Sequence, residues 1–149
     1  MGDWVEDERG VGPGHRVVRA SAGTGKTHRL TGRYLALLAA GAPAGRVVAT
    51  TFTRKAAAEV RDRVLRRLAE ACLDDEPGAR DRERAQLGEG LAALGVAGVK
   101  VDEGLCGDVL GRLVGELERV SIGTIDALLG GWSGVLAWEL GRGERLRRV

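Results

Sequence analysis

The stretch "ASAGTGKT", Ala20 to Thr27, lies between a short β-prone run, "HRVVRA" (His15 to Ala20), and a helix-like segment, "KTHRLTGRYLALLAAG" (Lys26 to Gly41). In that segment Leu30, Tyr34, Leu37 and Leu38 share one helical face. Strand, glycine-rich turn and helix is the context that a phosphate-binding loop requires. A loop turning tightly from a strand into a helix N-terminus aims several backbone N–H groups at one centre, which suits the dense negative charge of a phosphate chain. Gly23 and Gly25 permit the crowded backbone, Lys26 is placed to reach the β- and γ-phosphates, and the Thr27 hydroxyl is placed to ligate Mg²⁺. Ala20 stands where the stricter form of the pattern has glycine. The expected nucleotide cradle is therefore Ala20, Ser21, Ala22, Gly23, Thr24, Gly25, Lys26 and Thr27, with Lys26 and Thr27 as its catalytic candidates and Thr27 as the metal ligand.

Downstream, Gly41 and Pro43 supply stop signals, and "RVVATTF" (Arg46 to Phe52) is a second β-branched run of strand length. A helix follows in "RKAAAEVRDRVLRRLAEAC", with Thr53 as its N-cap and Ala57, Val60, Val64 and Leu68 at helical spacing. Alternating strands and helices predict an α/β fold built on a parallel sheet. The stretch from Leu73 to Gly90 is charged and interrupted by Gly and Pro, and reads as a loop leading into a weakly specified helix. Helical periodicity resumes from Gly107 to Val120 through Val109, Leu110, Leu113 and Leu117. "VSIGT" is a short strand candidate, followed by a helix from Thr124 to Gly141 that Gly130 and Gly131 weaken.

Composition narrows the class further. A chain of 149 residues with 44% apolar content is about one domain with a real core. Its net charge of +2 does not by itself indicate nucleic acid, although Arg61, Arg63, Arg66 and Arg67 form a local basic cluster. Cys72 and Cys106 have neither zinc nor disulfide-scaffold spacing and read as small buried hydrophobes. The acidic start "MGDWVEDERG" lacks an apolar leader and no apolar run reaches membrane-spanning length, so a soluble cytoplasmic chain is expected.

"ASAGTGKT", "ATTFTRKAAAEVRDRV" (Ala49 to Val64) and "VSIGTIDALL" (Val120 to Leu129) together resemble the UvrD/RecB-like superfamily 1 DNA helicases, including the RecB and AddA type helicase–nuclease subunits. The trailing "WELG" is also similar to the segment after the third of these motifs in that family. The resemblance implies a RecA-like P-loop ATPase using ATP and Mg²⁺, acting on single-stranded DNA in recombination and repair, and its possible partner is a second subunit with helicase or nuclease activity. It divides the chain into a P-loop and motif Ia core over 16–64, a helical insertion over about 73–119, and a third motif with the start of a following subdomain over 120–149. By resemblance Thr51, Thr53 and Lys55 contact the DNA backbone, Phe52 sits near the bases and Thr124 is a phosphate contact. The residues alone also permit Thr53 as a simple cap, Phe52 as core and Lys55 as a solvated charge. Thr124 and Asp126 suit any helix N-terminus, and Asp126 would repel phosphate.

Hydrolysis by such a loop needs an acidic residue at a strand end and a group that orients water. The family's Asp-Glu-x-Gln motif does not occur in these residues, and Gln86 is the sole glutamine. The expectation is an N-terminal piece of a motor, an incomplete ATPase on its own whose partial sheet leaves apolar edges exposed. One rival enzyme reading rests on "VKVDEGL" (Val99 to Leu105), which sets Asp102 and Glu103 where a small P-loop kinase carries its acidic strand. Lys100 interrupts that run, and a turn in which Asp102 caps the next helix fits it better. A non-catalytic module that binds ATP or DNA is the other alternative.

Overall fold

The computed structural model describes residues 5–7, 17–19, 25–73, 76–96 and 98–139. Among the described residues, four strands and five α-helices follow in the order β1 (Val5–Asp7), β2 (Val17–Arg19), α1 (Lys26–Ala39), β3 (Val48–Thr51), α2 (Arg54–Leu73), α3 (Pro77–Ala93), α4 (Glu103–Gly115), β4 (Ser121–Thr124) and α5 (Ile125–Glu139). The chain is therefore α/β and mostly helical. Among the described residues no helix is long and apolar enough to cross a membrane.

β3 and β4 pair in parallel, with Val48 beside Ser121, Ala49 beside Ile122, Thr50 beside Gly123 and Thr51 beside Thr124. A parallel pair needs a long crossover, and here α2, α3 and α4 supply it. The parallel sheet is smaller than the sequence predicts. β2, the strand before the glycine-rich stretch of sequence, pairs antiparallel with β1 in a separate two-stranded sheet. A short connection brings β1 and β2 together at little entropic cost, whereas three-residue strands offer few ladder bonds to any longer-range sheet.

α1 ends where Gly41 takes φ +96°. The Gly41 amide donates to the Leu38 carbonyl and the Ala42 amide to the Leu37 carbonyl, both at 3.0 Å, a double closure that needs a left-handed residue after the cap. The buried stripe of α1 is Thr31, Tyr34, Leu35 and Leu38, with Ala36 and Ala39. It is rotated from the face read in the sequence: Leu30 is exposed and Leu37 half-buried. Pattern reading passes over Thr31 because it is polar, yet its hydroxyl donates to the His28 carbonyl at 2.9 Å and so tolerates burial.

α2 lies at the centre, packed against α1, α3, α4 and β4. Its buried face comprises Ala57, Val60, Val64, Leu68, Ala71 and Cys72, in agreement with the helical spacing, and also Arg67. α3 begins at Pro77, earlier than expected, because proline at the first position of a helix loses no hydrogen bond. Few apolar groups anchor it, mainly Leu87 and Leu91. Polar links do the rest: Arg84 Nε donates to the Ala71 carbonyl at 2.9 Å in the last turn of α2. Close approach to α1 also requires Gly90, where an added Cβ would lie 2.9 Å from the Ala36 Cβ.

α4 starts a turn before the predicted point, because Asp102 caps it, and it stops at Gly115, which leaves Leu117 exposed rather than on the core stripe. Val109 and Leu113 are buried as expected. Arg112 Nη2 bonds the Leu38 carbonyl at 3.1 Å and ties α4 to the end of α1. Cys72 and Cys106 are free and buried in this core. Burial, and after it the neighbouring Cys106, pushes the Cys72 thiol up to about 11, so it stays protonated and unreactive at neutral pH.

Candidate functional site

Two places gather the residues that the sequence singles out. The first is the N-terminus of α1. Gly25 occupies its N-cap position at φ +83°, a conformation that a Cβ would strain, and it offers no side chain to cap the helix. No acidic residue stands in the first turn, so the positive end of the helix dipole carries no competing carboxylate. Lys26 is exposed and Thr27 half-buried there. Ala20, Ser21, Ala22, Gly23 and Thr24 lie outside the described residues, as does His15, while His28 is exposed.

A helix start of this kind can accept an anion: the positive end of the dipole, a lysine and a threonine stand in one turn, and glycine lets the backbone come close. Among the described residues, the Thr27 hydroxyl is the side-chain oxygen in this first turn that could meet a divalent cation. Among the described residues no group of three or more His, Cys, Asp or Glu side chains could hold a metal ion. These donors fit Mg²⁺ in the way it is held beside phosphates, through few protein ligands with the phosphate oxygens and water completing the shell.

The second place is the carboxyl end of the β3–β4 pair. Parallel pairing sets Thr51 beside Thr124, and each strand runs at once into a helix, β3 through Phe52 and Thr53 into α2, and β4 directly into α5. Two helix N-termini therefore open at one sheet edge. Thr53 Oγ1 accepts from the Ala56 amide at 3.1 Å, and Thr124 Oγ1 accepts from the Ala127 amide at 3.2 Å. Both hydroxyls thus cap their helices and keep an O–H to donate. Thr51 differs, because its Oγ1 already donates to the Thr53 carbonyl at 3.0 Å and its hydroxyl is left chiefly as an acceptor. Lys55 is exposed in the first turn of α2.

Phe52 is 90% exposed, which rules out the core reading of that ring. A solvent-facing aromatic beside two helix N-termini and a lysine can stack a base while the helix ends and the lysine meet phosphates. Asp126, exposed in the first turn of α5, stabilises the helix end and sets a local negative charge at one side of this edge.

The rival acidic pair has a different place. Asp102 Oδ1 accepts from the Leu105 amide at 3.1 Å as the N-cap of α4, Glu103 is exposed, and residues 99–102 form no strand. Replacing Asp102 by alanine is expected to cost about 1 kcal/mol of stability, the usual loss of a cap, and to leave nucleotide binding unchanged. Urea unfolding together with a nucleotide titration checks both halves of that expectation.

One group escapes sequence reading. Arg67 belongs to the apparent basic cluster but is only 6% exposed. Its Nε donates to Glu83 Oε2 and its Nη2 to Gln86 Oε1, both at 2.7 Å, on α3. Its Nη1 donates to Thr31 Oγ1 and to the His28 carbonyl, both at 3.2 Å, on α1. The only sequence signal is that Glu83 and Gln86 lie three apart on one helical face.

A family model for the UvrD/REP helicase N-terminal domain matches residues 8–129. An ATP-dependent helicase/nuclease protein of Streptococcus thermophilus, one of that enzyme's subunits, is 36% identical over 83 residues, which cover 56% of this chain and 7% of that protein. The ATP-dependent DNA helicases UvrD1 and UvrD2 of Mycobacterium bovis are each 52% identical, over 50 and 48 residues, covering 33% and 32% of this chain and 6% and 7% of those proteins. The chain thus spans less than a tenth of the length of these curated relatives. No solved structure matches it.

Proposed function

The chain belongs to the UvrD/REP helicase N-terminal domain family, and from that premise we propose that it binds ATP and single-stranded DNA as part of a cytoplasmic ATP-dependent DNA helicase. In this reading Ala20 to Thr27 form the P-loop of a RecA-like domain, its core spans 16–64, and 73–119 is a helical insertion that carries the chain to the third motif in 120–149. Lys26 neutralises the terminal phosphates, and Thr27 holds Mg²⁺. When bound, Mg²⁺ supplies charge neutralisation at the phosphates. The acidic motif that completes hydrolysis does not occur among these residues, so this reading assigns them the binding of ATP and not its turnover. The resemblance implies recombination and repair as the setting, and a relative named as a subunit of a helicase/nuclease supports partnership with a second chain.

The observation that carries the DNA half of the proposal is the β3–β4 register, which sets Thr51 and Thr124 side by side where α2 and α5 begin and leaves Phe52 open to solvent. Thr53, Thr124 and Lys55 then contact phosphates, Thr51 accepts, and Phe52 stacks on a base. No kinase role follows from Asp102, whose carboxylate is engaged as a cap.

Phe52→Ala tests this reading. Fluorescence anisotropy with a labelled oligothymidylate is expected to show a loss of about 1–3 kcal/mol, a factor of about 5 to 150, the worth of one stacked base. Stability should hold, because the ring is buried against nothing. Unaltered affinity would remove Phe52 from the DNA contacts.

A further inference from the structure

We propose that Arg67 is the positioning residue of the nucleotide site: its guanidinium fixes the first turns of α1, and with them Lys26 and Thr27, against α2 and α3. The inference rests on the nucleotide-binding role proposed above and adds a residue outside every motif used to reach it.

The geometry is specific to the start of α1. His28 directly follows Thr27, and its carbonyl receives both the Arg67 Nη1 and the Thr31 hydroxyl. Thr31 itself receives the same Nη1, so one nitrogen grips two points of the helix start. The other side of the guanidinium is held by the carboxylate of Glu83 and the amide oxygen of Gln86, which orient the plane from α3. A planar fork with fixed donors can span two helices in this way, whereas a lysine ammonium offers its donors from a single point.

Stability alone is a poor account of such a group. Removing a guanidinium and a carboxylate from water costs about as much as their attraction returns, so a buried pair of this kind adds little net free energy. What it does supply is a fixed geometry, and the place it fixes is the phosphate-facing end of α1. It also joins that end to α2, whose own N-terminus carries Thr53 and Lys55 at the proposed DNA edge.

The test uses Arg67→Lys, Thr31→Val and Glu83→Gln in the full chain, read by amide hydrogen exchange without nucleotide and by calorimetric titration with ATP and Mg²⁺. Arg67→Lys and Thr31→Val are expected to speed exchange at residues 26–32 more than at residues 60–72 and to weaken ATP binding about tenfold. Glu83→Gln keeps an acceptor for Nε and is expected to retain ATP affinity within about threefold. Thr31→Val leaves the Arg67–Glu83 pair intact, so it reports on the grip even if Arg67→Lys does not fold. Uniform acceleration of exchange across α1 and α2, with ATP affinity unchanged in Thr31→Val, would overturn the positioning role while leaving nucleotide binding in place. No ATP binding by the unmodified chain would instead overturn the nucleotide reading, and this role with it.

Discussion

Lys26→Ala is expected to weaken ATP binding about 10- to 150-fold, the loss of one charge-assisted contact to phosphate. Lys26 is exposed at the first position of α1, beside a glycine cap and with no acidic residue in the turn. Arg29 stands about 4.5 Å further along the helix axis and does not replace it at the cap. Alanine is an excellent helix former, and the fold should tolerate it with little change in melting temperature. Calorimetry with ATP and Mg²⁺ separates the two readouts. Equal affinity in the variant would mean that phosphate is not bound at Lys26.

Leu68→Ala is expected to be the most damaging core change, at about 2–5 kcal/mol. Leu68 is 1% exposed on the buried face of α2. That helix packs on α1, α3, α4, β3 and β4, and its surroundings cannot collapse onto a missing side chain without disturbing several of them at once. Against a typical total of about 5–15 kcal/mol, such a loss leaves a marginal domain. In urea the midpoint should fall sharply while the slope stays constant. A small shift would mean that α2 is not the centre of the core.

How much of this is legible in the sequence depends on the range of the interactions involved. Gly25 and Lys26 at the start of α1 are local, and so are the caps at Thr53, Asp102 and Thr124, each set by a side chain and an amide three residues on. These can be read from neighbouring letters. β3 and β4 are legible as strands, but their register is not, since only the folded crossover brings Thr51 beside Thr124.

Arg67 is hidden because a run of arginines looks solvated, and its partners stand on two other helices. Thr31 is hidden for the same reason, a polar residue whose burial is made tolerable by a distant guanidinium. α3 hides in a charged, glycine-containing stretch because its anchorage is polar: Arg84 on the end of α2, Glu83 and Gln86 on Arg67. The antiparallel β1–β2 pair gives no warning because the N-terminal stretch reads as acidic rather than β-prone, and three paired residues leave almost no pattern.

These residues thus offer two candidate binding places, a helix start for a nucleotide and the carboxyl end of the β3–β4 pair for a nucleic-acid chain. The most direct measurement is a calorimetric titration of the unmodified chain with ATP, with and without Mg²⁺. The expected result is saturable binding of one ATP per chain, tightened by Mg²⁺ through Thr27. A flat isotherm at millimolar ATP with Mg²⁺ present would contradict it.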